Sequence, residues 1–366
     1  MNKEYFTQKI IKNIMIIIII ITAAGLLILS INKKNQNNEQ LGYVEKTGFF
    51  FDTFISFKLY FNDYDTYNEY TDDAEKYFND KANEIIGKCN FFEKLFSKTL
   101  TGSDIYNINK YRTADVNYYT YDIIEKSINY SKITSGALDI TIGTVLEGYS
   151  YEEQKIYDKS VTESLLNSIS YNHIKLTHSD SFYRVSLSDN DTILDLGAVA
   201  KGYITDYFCS YLHEAGINNF IINLGGNMYV SGSKDNSKVH SYYNIGIQYP
   251  FEETGESIRI LKTADSSVVT SGIYQRYFKK DNTIYHHIFS PFTGYPVKND
   301  LYSVTIINPS SFVCDALSTA VFVLGKNKGM ELINSLNDTE CIMISNEYSV
   351  YLSKGLTSHD KIIEKK

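Results

Sequence analysis

The chain has 366 residues, enough for one large domain or two moderate ones with ample core. Hydrophobic residues make up 43% and charged residues 21%, so the body is expected to be globular and soluble. A formal net charge of −8 with no basic stripe excludes a nucleic-acid-binding footprint. Thirty-two Tyr beside no Trp, among many Ile, Asn and Lys, points to genome base composition before function. Cys89, Cys209, Cys314 and Cys341 show neither CxxC nor Cys/His metal spacing, and at that density no disulfide framework is expected.

In chain order, residues 1–13 are a short, mostly polar start with Lys3, Lys9 and Lys12. An uncharged run covers 14–31 and contains Met15-Ile-Ile-Ile-Ile-Ile-Ile21. As a helix it would span about 27 Å, close to the hydrocarbon thickness of a bilayer. A cleaved secretory signal has the same charged start, and Thr22-Ala-Ala-Gly25 reads as a small-residue cleavage zone. The apolar run nevertheless continues through Leu26-Leu-Ile-Leu29, so an uncleaved signal-anchor (transmembrane) helix is the expectation. The N-terminal lysines favour a cytoplasmic N-terminus, although Lys33 and Lys34 weaken the contrast, and the body is expected outside the cytoplasmic membrane. No Cys follows the run, which excludes lipoprotein processing there.

Residues 32–45 read as a polar linker, and 46–355 as the folded body. Phe49–Tyr60 is a first strand or hairpin arm, and Thr71–Ser97 carries a helical pattern through Ala74, Phe78, Ala82, Ile85, Ile86 and Phe92. A second helix, Tyr121–Ile133, ends at Thr134-Ser-Gly136, before the glycine-bounded loop Gly136-Ala-Leu-Asp-Ile-Thr-Ile-Gly143. A short helix (Val161–Ile169) and a hairpin-like pair (His173–Thr177, Phe182–Leu187) come next. Phe220–Gly232 reads as strand, double glycine and strand; Tyr243–Gln248, Ser257–Leu261 and Ser267–Thr270 read as further strands. Residues 273–296 form a hairpin, Tyr302–Ile307 a strand, and Cys314–Leu324 a helix stopped by Gly325. A last hairpin, Glu340–Ser345 and Tyr348–Ser353, precedes a charged tail over 356–366. Helices and strands mix without βαβ regularity, so the fold class is α+β.

The chain is organised around Leu194-Asp-Leu-Gly-Ala-Val-Ala-Lys-Gly-Tyr-Ile-Thr-Asp206. Thr192-Ile-Leu suits the end of a buried strand, Gly197 a tight turn, and the residues from Ala198 a helix stopped by Gly216. Such a helix start, flanked by Asp195 and Lys201, suits a phosphate, though a capped structural helix explains it about as well. Asp315 and Thr319 lie four apart, so on a helix they share a face and offer a carboxylate plus a hydroxyl, a sparse hard-oxygen half-site fit for Mg²⁺. The bland alternative makes Asp315 a cap and Thr319 core. Asn223-Leu-Gly-Gly-Asn227 allows close approach of a ligand or merely a bulge. His286 and His287 point to opposite faces of a strand; one is a candidate base, and a structural or exposed histidine is the alternative.

Taken in order, these pieces with Thr-Ser-Gly-x-Tyr, His-His-Ile-x-x-Pro-x-Thr-Gly-x-Pro and Asp-Ala-Leu-x-Thr-Ala resemble the ApbE family of FAD:protein FMN transferases, the flavin-trafficking proteins. The resemblance covers roughly 46–355. It implies an ApbE-like fold of mixed sheets with packed helices. The implied enzyme uses FAD as substrate with Mg²⁺ and moves FMN onto a Thr or Ser hydroxyl of an acceptor flavoprotein, releasing AMP. Acceptors of the family are Nqr- and Rnf-type subunits and related flavoproteins; some members hydrolyse FAD to FMN and AMP instead. Carried over by motif, the metal ligands are Asp315, Thr319 and the Ala198 carbonyl. FAD contacts fall to Asp195, Lys201, the loop Ala137-Leu138-Asp139, and Phe51, which stands where the family commonly has Met before Gly-Thr. His287 is the implied base. Three departures stand out: Ser290 replaces the usual Asp, Thr144 a common Pro, and Phe51-Asp-Thr53 lacks Met-Gly. Ser290 is also the one hint of a third reading, a non-catalytic flavin-binding protein.

Overall fold

Ile55-Ser-Phe-Lys-Leu59 alternates large apolar with smaller or polar side chains, and in the computed structural model it lies in one strand, Thr53–Tyr60, of an eight-stranded antiparallel sheet. Residues 42–61, 71–150, 153–232, 242–253, 255–281, 283–357 and 362–364 are described. The chain divides into two units, Met1–Gly42 and Tyr43–Lys366, and the second carries all that follows. The sheet strands are β1 (Tyr43–Phe50), β2 (Thr53–Tyr60), β3 (Phe220–Leu224), β4 (Asn227–Ser231), β5 (Ser266–Gly272), β6 (Leu301–Asn308), β7 (Glu340–Ser345) and β8 (Val350–Leu352). They lie side by side in chain order, so each inserted segment leaves and re-enters at neighbouring strands.

Odd positions of β2 (Ile55, Phe57, Leu59) face helices α1 (Thr71–Phe96) and α4 (Ala200–Glu214), where Phe57 meets Phe208 edge to face at 5.3 Å. A long helix, α5 (Ser311–Ser335), packs on β5 and β6 through Leu317, Val321, Val269 and Val304. The opposite face, with Val230, Val268, Ile307 and Ile342, is covered by a three-stranded sheet of Tyr243–Gln248, Ser257–Thr263 and Ile362–Glu364. Being covered on both sides, β6 is buried almost throughout, and even its polar Ser303 and Thr305 are inside. Helices α2 (Asp104–Tyr111) and α3 (Tyr118–Ile133) join the first core, followed by a small sheet of Thr113–Val116, Phe182–Leu187 and Ile174–Ser179.

The fold is α+β, as expected. Two differences have local causes, and the two ends of the ordered body differ in extent. Thr192-Ile-Leu194 makes no strand beyond one parallel bridge, Ile142 to Ile193, because its amides go to side chains: Ile193 N–H to Thr144 Oγ1 at 3.0 Å and Leu194 N–H to Asn109 Oδ1 at 2.8 Å. Gly325 (φ 74°) kinks α5 rather than ending it, and helix resumes to Ser335. Ordered strand begins at Tyr43, inside the expected linker, and the charged tail contributes the strand Ile362–Glu364. All four cysteines are buried and free. Among the described residues no helix is long and apolar enough to cross a membrane; the apolar run over 14–31 lies outside them.

Candidate active site

Two tight turns meet at one end of the large sheet. Phe51 and Asp52 join β1 to β2 with φ of 54° and 55°, and Gly225 and Gly226 join β3 to β4 with φ of 59° and 96°. Positive φ at both centres is the geometry whose twist matches a right-handed strand pair. Ile55 pairs with Leu224, so the turns are neighbours, and a Cβ on Gly225 would lie 2.5 Å from Thr53 Cγ2. Phe51 N–H is held by Glu93 Oε1 of α1 at 3.0 Å. Val269 pairs with Asn227, which brings Ser271-Gly272 at the end of β5 to the same end of the sheet.

Helix α5 supplies Asp315 and Thr319, and α4 crosses it at Gly202. A Cβ there would meet Ser311 O at 2.4 Å and Asp315 Cβ at 2.7 Å, so only glycine permits this approach. The Gly202 N–H goes to Asp315 Oδ2 at 2.9 Å instead of to the carbonyl four residues back, that of Ala198. The Ala198 carbonyl therefore accepts nothing from any described backbone amide. Among the described residues Thr319 Oγ1 has only a long 3.4 Å contact to Ser271 Oγ, which bonds Ser318 Oγ at 2.8 Å. Asp315 is buried; burial pushes its carboxyl up, opposed by Lys201, the Gly202 N–H and Asn227. Asn227 Nδ2, buried near that carboxyl, makes no hydrogen bond of normal length among the described residues. Lys201 Nζ lies 4.0 Å from Asp315 Oδ2 and 3.2 Å from the Gly197 carbonyl. Asp315 does not cap α5: Ser310 does, its Oγ accepting from Val313 N–H.

α5 thus offers a carboxylate and a hydroxyl and the start of α4 a carbonyl free of backbone amides, and among the described residues no group of three or more His, Cys, Asp or Glu side chains is placed to hold a metal ion. That sparseness fits Mg²⁺, which keeps waters and takes other ligands from phosphate.

The two histidines part company. His286 is buried and donates from Nε2 to the Val297 carbonyl at 2.9 Å while Nδ1 accepts from Ile288 N–H at 3.2 Å, so it is structural. His287 Nδ1 faces the Arg276 carbonyl at 3.3 Å. A carbonyl only accepts, which puts the hydrogen on Nδ1 and leaves a lone pair on Nε2. Burial, with Arg276, Lys201 and His286 nearby, brings this imidazole down to about 4, so it is neutral at physiological pH. Ser290 keeps its turn: Oγ accepts from Phe292 N–H at 3.3 Å, and its carbonyl accepts from Gly294 N–H at 2.8 Å.

Other expected contacts are reassigned in part. Asp139 Oδ1 accepts from Thr141 N–H and Oγ1 at 2.9 and 2.7 Å, and Oδ2 from Tyr171 N–H at 2.8 Å. Burial raises its carboxyl against those bonds, and it shapes the loop. Ala137 and Leu138 have core side chains, and both amides bond Thr134. What this loop offers a ligand is its position beside Asp195, whose N–H goes to the Ile140 carbonyl at 2.7 Å. Thr144 locks that junction, donating to the Thr141 carbonyl at 2.9 Å while accepting from Ile193 N–H. Asp195 caps the Gly197 amide at 2.7 Å and pairs with Lys98 at 3.1 Å.

Lys98 also pairs with Glu147 at 3.1 Å; burial would lower its ammonium, but Asp195 and Glu147 outweigh that and raise it. Sequence reading missed Lys98, which lies outside every motif. It also gave no role to Asp206, which accepts from Ser310 Oγ (2.6 Å), Ser311 N–H (2.6 Å) and Phe312 N–H (3.0 Å) and so holds the start of α5 on α4. Its fixed place at the end of the Asp195–Asp206 motif was the available signal.

The ApbE family model matches residues 51–343. An FAD:protein FMN transferase of Treponema pallidum is 28% identical over 254 residues, 67% of this chain and 70% of that protein. One from Klebsiella pneumoniae is 39% identical over 160 residues, 44% of this chain and 48% of that one. The crystal structure of the ApbE protein of Thermotoga maritima superposes with a TM-score of 0.74 at 26% identity, covering 89% of this chain and 100% of the other. With the family model spanning the sheet-end turns, both helices of the oxygen site and His287, this chain belongs to the ApbE family.

Proposed function

We propose that the chain is an Mg²⁺-dependent FAD:protein FMN transferase that moves FMN from FAD onto a Thr or Ser hydroxyl of an acceptor flavoprotein, with release of AMP. The observation that carries this reading is the diverted Gly202 amide, which frees the Ala198 carbonyl beside Asp315. Asp315, Thr319 and Ala198 would hold the ion, which when bound offsets pyrophosphate charge and polarises the attacked phosphorus. Lys201 and the start of α4 add fixed positive potential on the same side. His287 Nε2 accepts the acceptor's hydroxyl proton as the new oxygen–phosphorus bond forms; the pyrophosphate bond breaks and AMP carries away the electron pair. The Phe51 turn and the 137–139 loop beside Asp195 give FAD its walls.

The test is in-gel flavin fluorescence after mixing the protein with FAD, Mg²⁺ and an Nqr- or Rnf-type acceptor domain. A band that survives denaturation and vanishes with EDTA is the expected result. FMN and AMP without a band would make it an FAD pyrophosphatase, the second activity the motifs imply. The non-catalytic reading rested on Ser290, and that hydroxyl still caps its turn. We also propose that residues 14–31 anchor the body outside the cytoplasmic membrane. Carbonate-resistant membrane association with protease accessibility from the outer face is the expected outcome; release by carbonate would overturn it.

A further inference from the structure

We propose that Arg276 is a positioning residue that ties the tautomer of His287 to the Phe51–Asp52 turn, so that the base is aimed only while that turn is in place; the proposal rests on the transfer reading above. Residues Tyr277–Lys280 and Thr283–His286 form an antiparallel hairpin in which Tyr277 faces His286. One step beyond its last pair, the Arg276 carbonyl accepts the His287 N–H at 3.2 Å and stands 3.3 Å from His287 Nδ1. One oxygen therefore fixes both the backbone and the ring hydrogen of the base.

The same residue's guanidinium reaches across the site, donating from Nη2 to the Asp52 carbonyl at 2.9 Å. Asp52 and Phe51 are the two non-glycine residues held at positive φ in the β1–β2 turn. The strand pair favours this turn, and two contacts from outside the hairpin brace its non-glycine residues at positive φ: Glu93 on one side and Arg276 on the other. The side chain of Arg276 thus braces the turn while its carbonyl orients the imidazole. A shift of the turn moves the carbonyl, and with it the lone pair of Nε2. Proton transfer is sensitive to displacements of that size, since a misplacement of about 1 Å costs on the order of 100-fold.

Arg276 is exposed, so its replacement should leave the core intact. The experiment compares the full-length wild type with R276A, R276K, H287A and the R276A/H287A double variant. Steady-state flavin transfer is measured alongside long-range ¹⁵N–¹H spectra of histidine-labelled protein, the His287 signal being assigned by its loss in H287A. The wild type should show the Nδ1–H tautomer without FAD, and R276A should shift His287 towards Nε2–H. Transfer kcat should fall about 10- to 100-fold with the KM for FAD within about threefold. R276K, which can still donate to the Asp52 carbonyl, should recover part of both losses. In the H287A background, R276A should add less than about twofold, because the arginine acts through the histidine.

Additive losses, or a raised KM for FAD at unchanged kcat, would make Arg276 a direct substrate contact and overturn the proposal. Should the wild type transfer no flavin, the spectra decide alone: a tautomer shift in R276A upholds the brace, and an unchanged tautomer overturns it.

Discussion

Burial above all resists protonation of His287, and the nearby charges of His286, Arg276 and Lys201 add to it. An unfolded histidine titrates near about 6.5, whereas this one is held down at about 4. Between those values the unfolded chain binds the proton and the folded one does not. The histidine's contribution is therefore intact above the unfolded value and is lost as pH falls towards 4. For the reaction, the acid limb of the kcat/KM profile for transfer should lie nearer 4 than 6.5; a limb at the ordinary histidine value would show that substrate-free His287 is not the base. Asp315 invites a separate test. Asp315→Asn keeps the acceptor for Gly202 N–H but loses the charge. Metal-dependent turnover should fall at least about 100-fold, while unfolding free energy changes by no more than about 1 kcal/mol; paired assays of turnover and urea unfolding check both halves. The sequence points to these two residues only through the ordered motifs that resemble the ApbE family, since the spacing of Asp315 and Thr319 left a structural cap open and a strand histidine left a structural role open. Arg276 and Lys98 were not legible, because each acts through a partner remote in sequence, Asp52 in one case and Asp195 in the other.

At the level of elements, the site depends on how closely α4 and α5 can approach. Gly202 faces backbone atoms, Ser311 O and Phe312 Cα, that no rotamer change can move aside. Gly202→Ala should cost about 1–3 kcal/mol through overpacking and should also push Asp315 away from the amide it accepts. Urea unfolding should show the stability loss, and FAD turnover should fall well beyond what the loss of folded protein explains; full activity in the folded fraction would disconnect the helix crossing from the site. The strands were legible from alternation, as at Ile55–Leu59 of β2 and at Ser303–Ile306 of β6, but that β6 is covered on both faces was not, because its buried Ser303 and Thr305 read as a solvent face. Thr192-Ile-Leu194 defeated that reading because its Leu194 and Ile193 amides donate to Asn109 Oδ1 and Thr144 Oγ1 in place of ladder partners. A side-chain acceptor 85 residues away leaves no periodic trace. Gly325 was legible as a break, but not the helix that resumes beyond it.

Across the whole molecule, the large sheet runs in chain order, yet it assembles its site from long insertions. Residues 61–219 leave after β2 and return at β3, carrying α1, the 137–139 loop, Asp195 and α4. Residues 273–300 leave after β5 and return at β6, carrying Arg276, His287 and Ser290. Because β2, β3, β4 and β5 are antiparallel neighbours, the turns at 51–52 and 225–226 and the exit at Ser271-Gly272 fall at one end, where α5 adds Asp315 and Thr319. Every residue of the proposed oxygen site, and His287 as the proposed base, therefore belongs to the unit Tyr43–Lys366. It follows that a fragment starting at Gly42 should bind FAD and turn it over in Mg²⁺ with kcat within about twofold of the full chain. If residues 14–31 serve as the anchor proposed above, only transfer to a membrane-embedded acceptor should suffer on removal of 1–41, because the fragment loses the raised local concentration that shared attachment provides. Comparing a detergent-free vesicle acceptor with a soluble acceptor domain separates the two: equal loss on both would mean that the N-terminal residues contribute to the site itself.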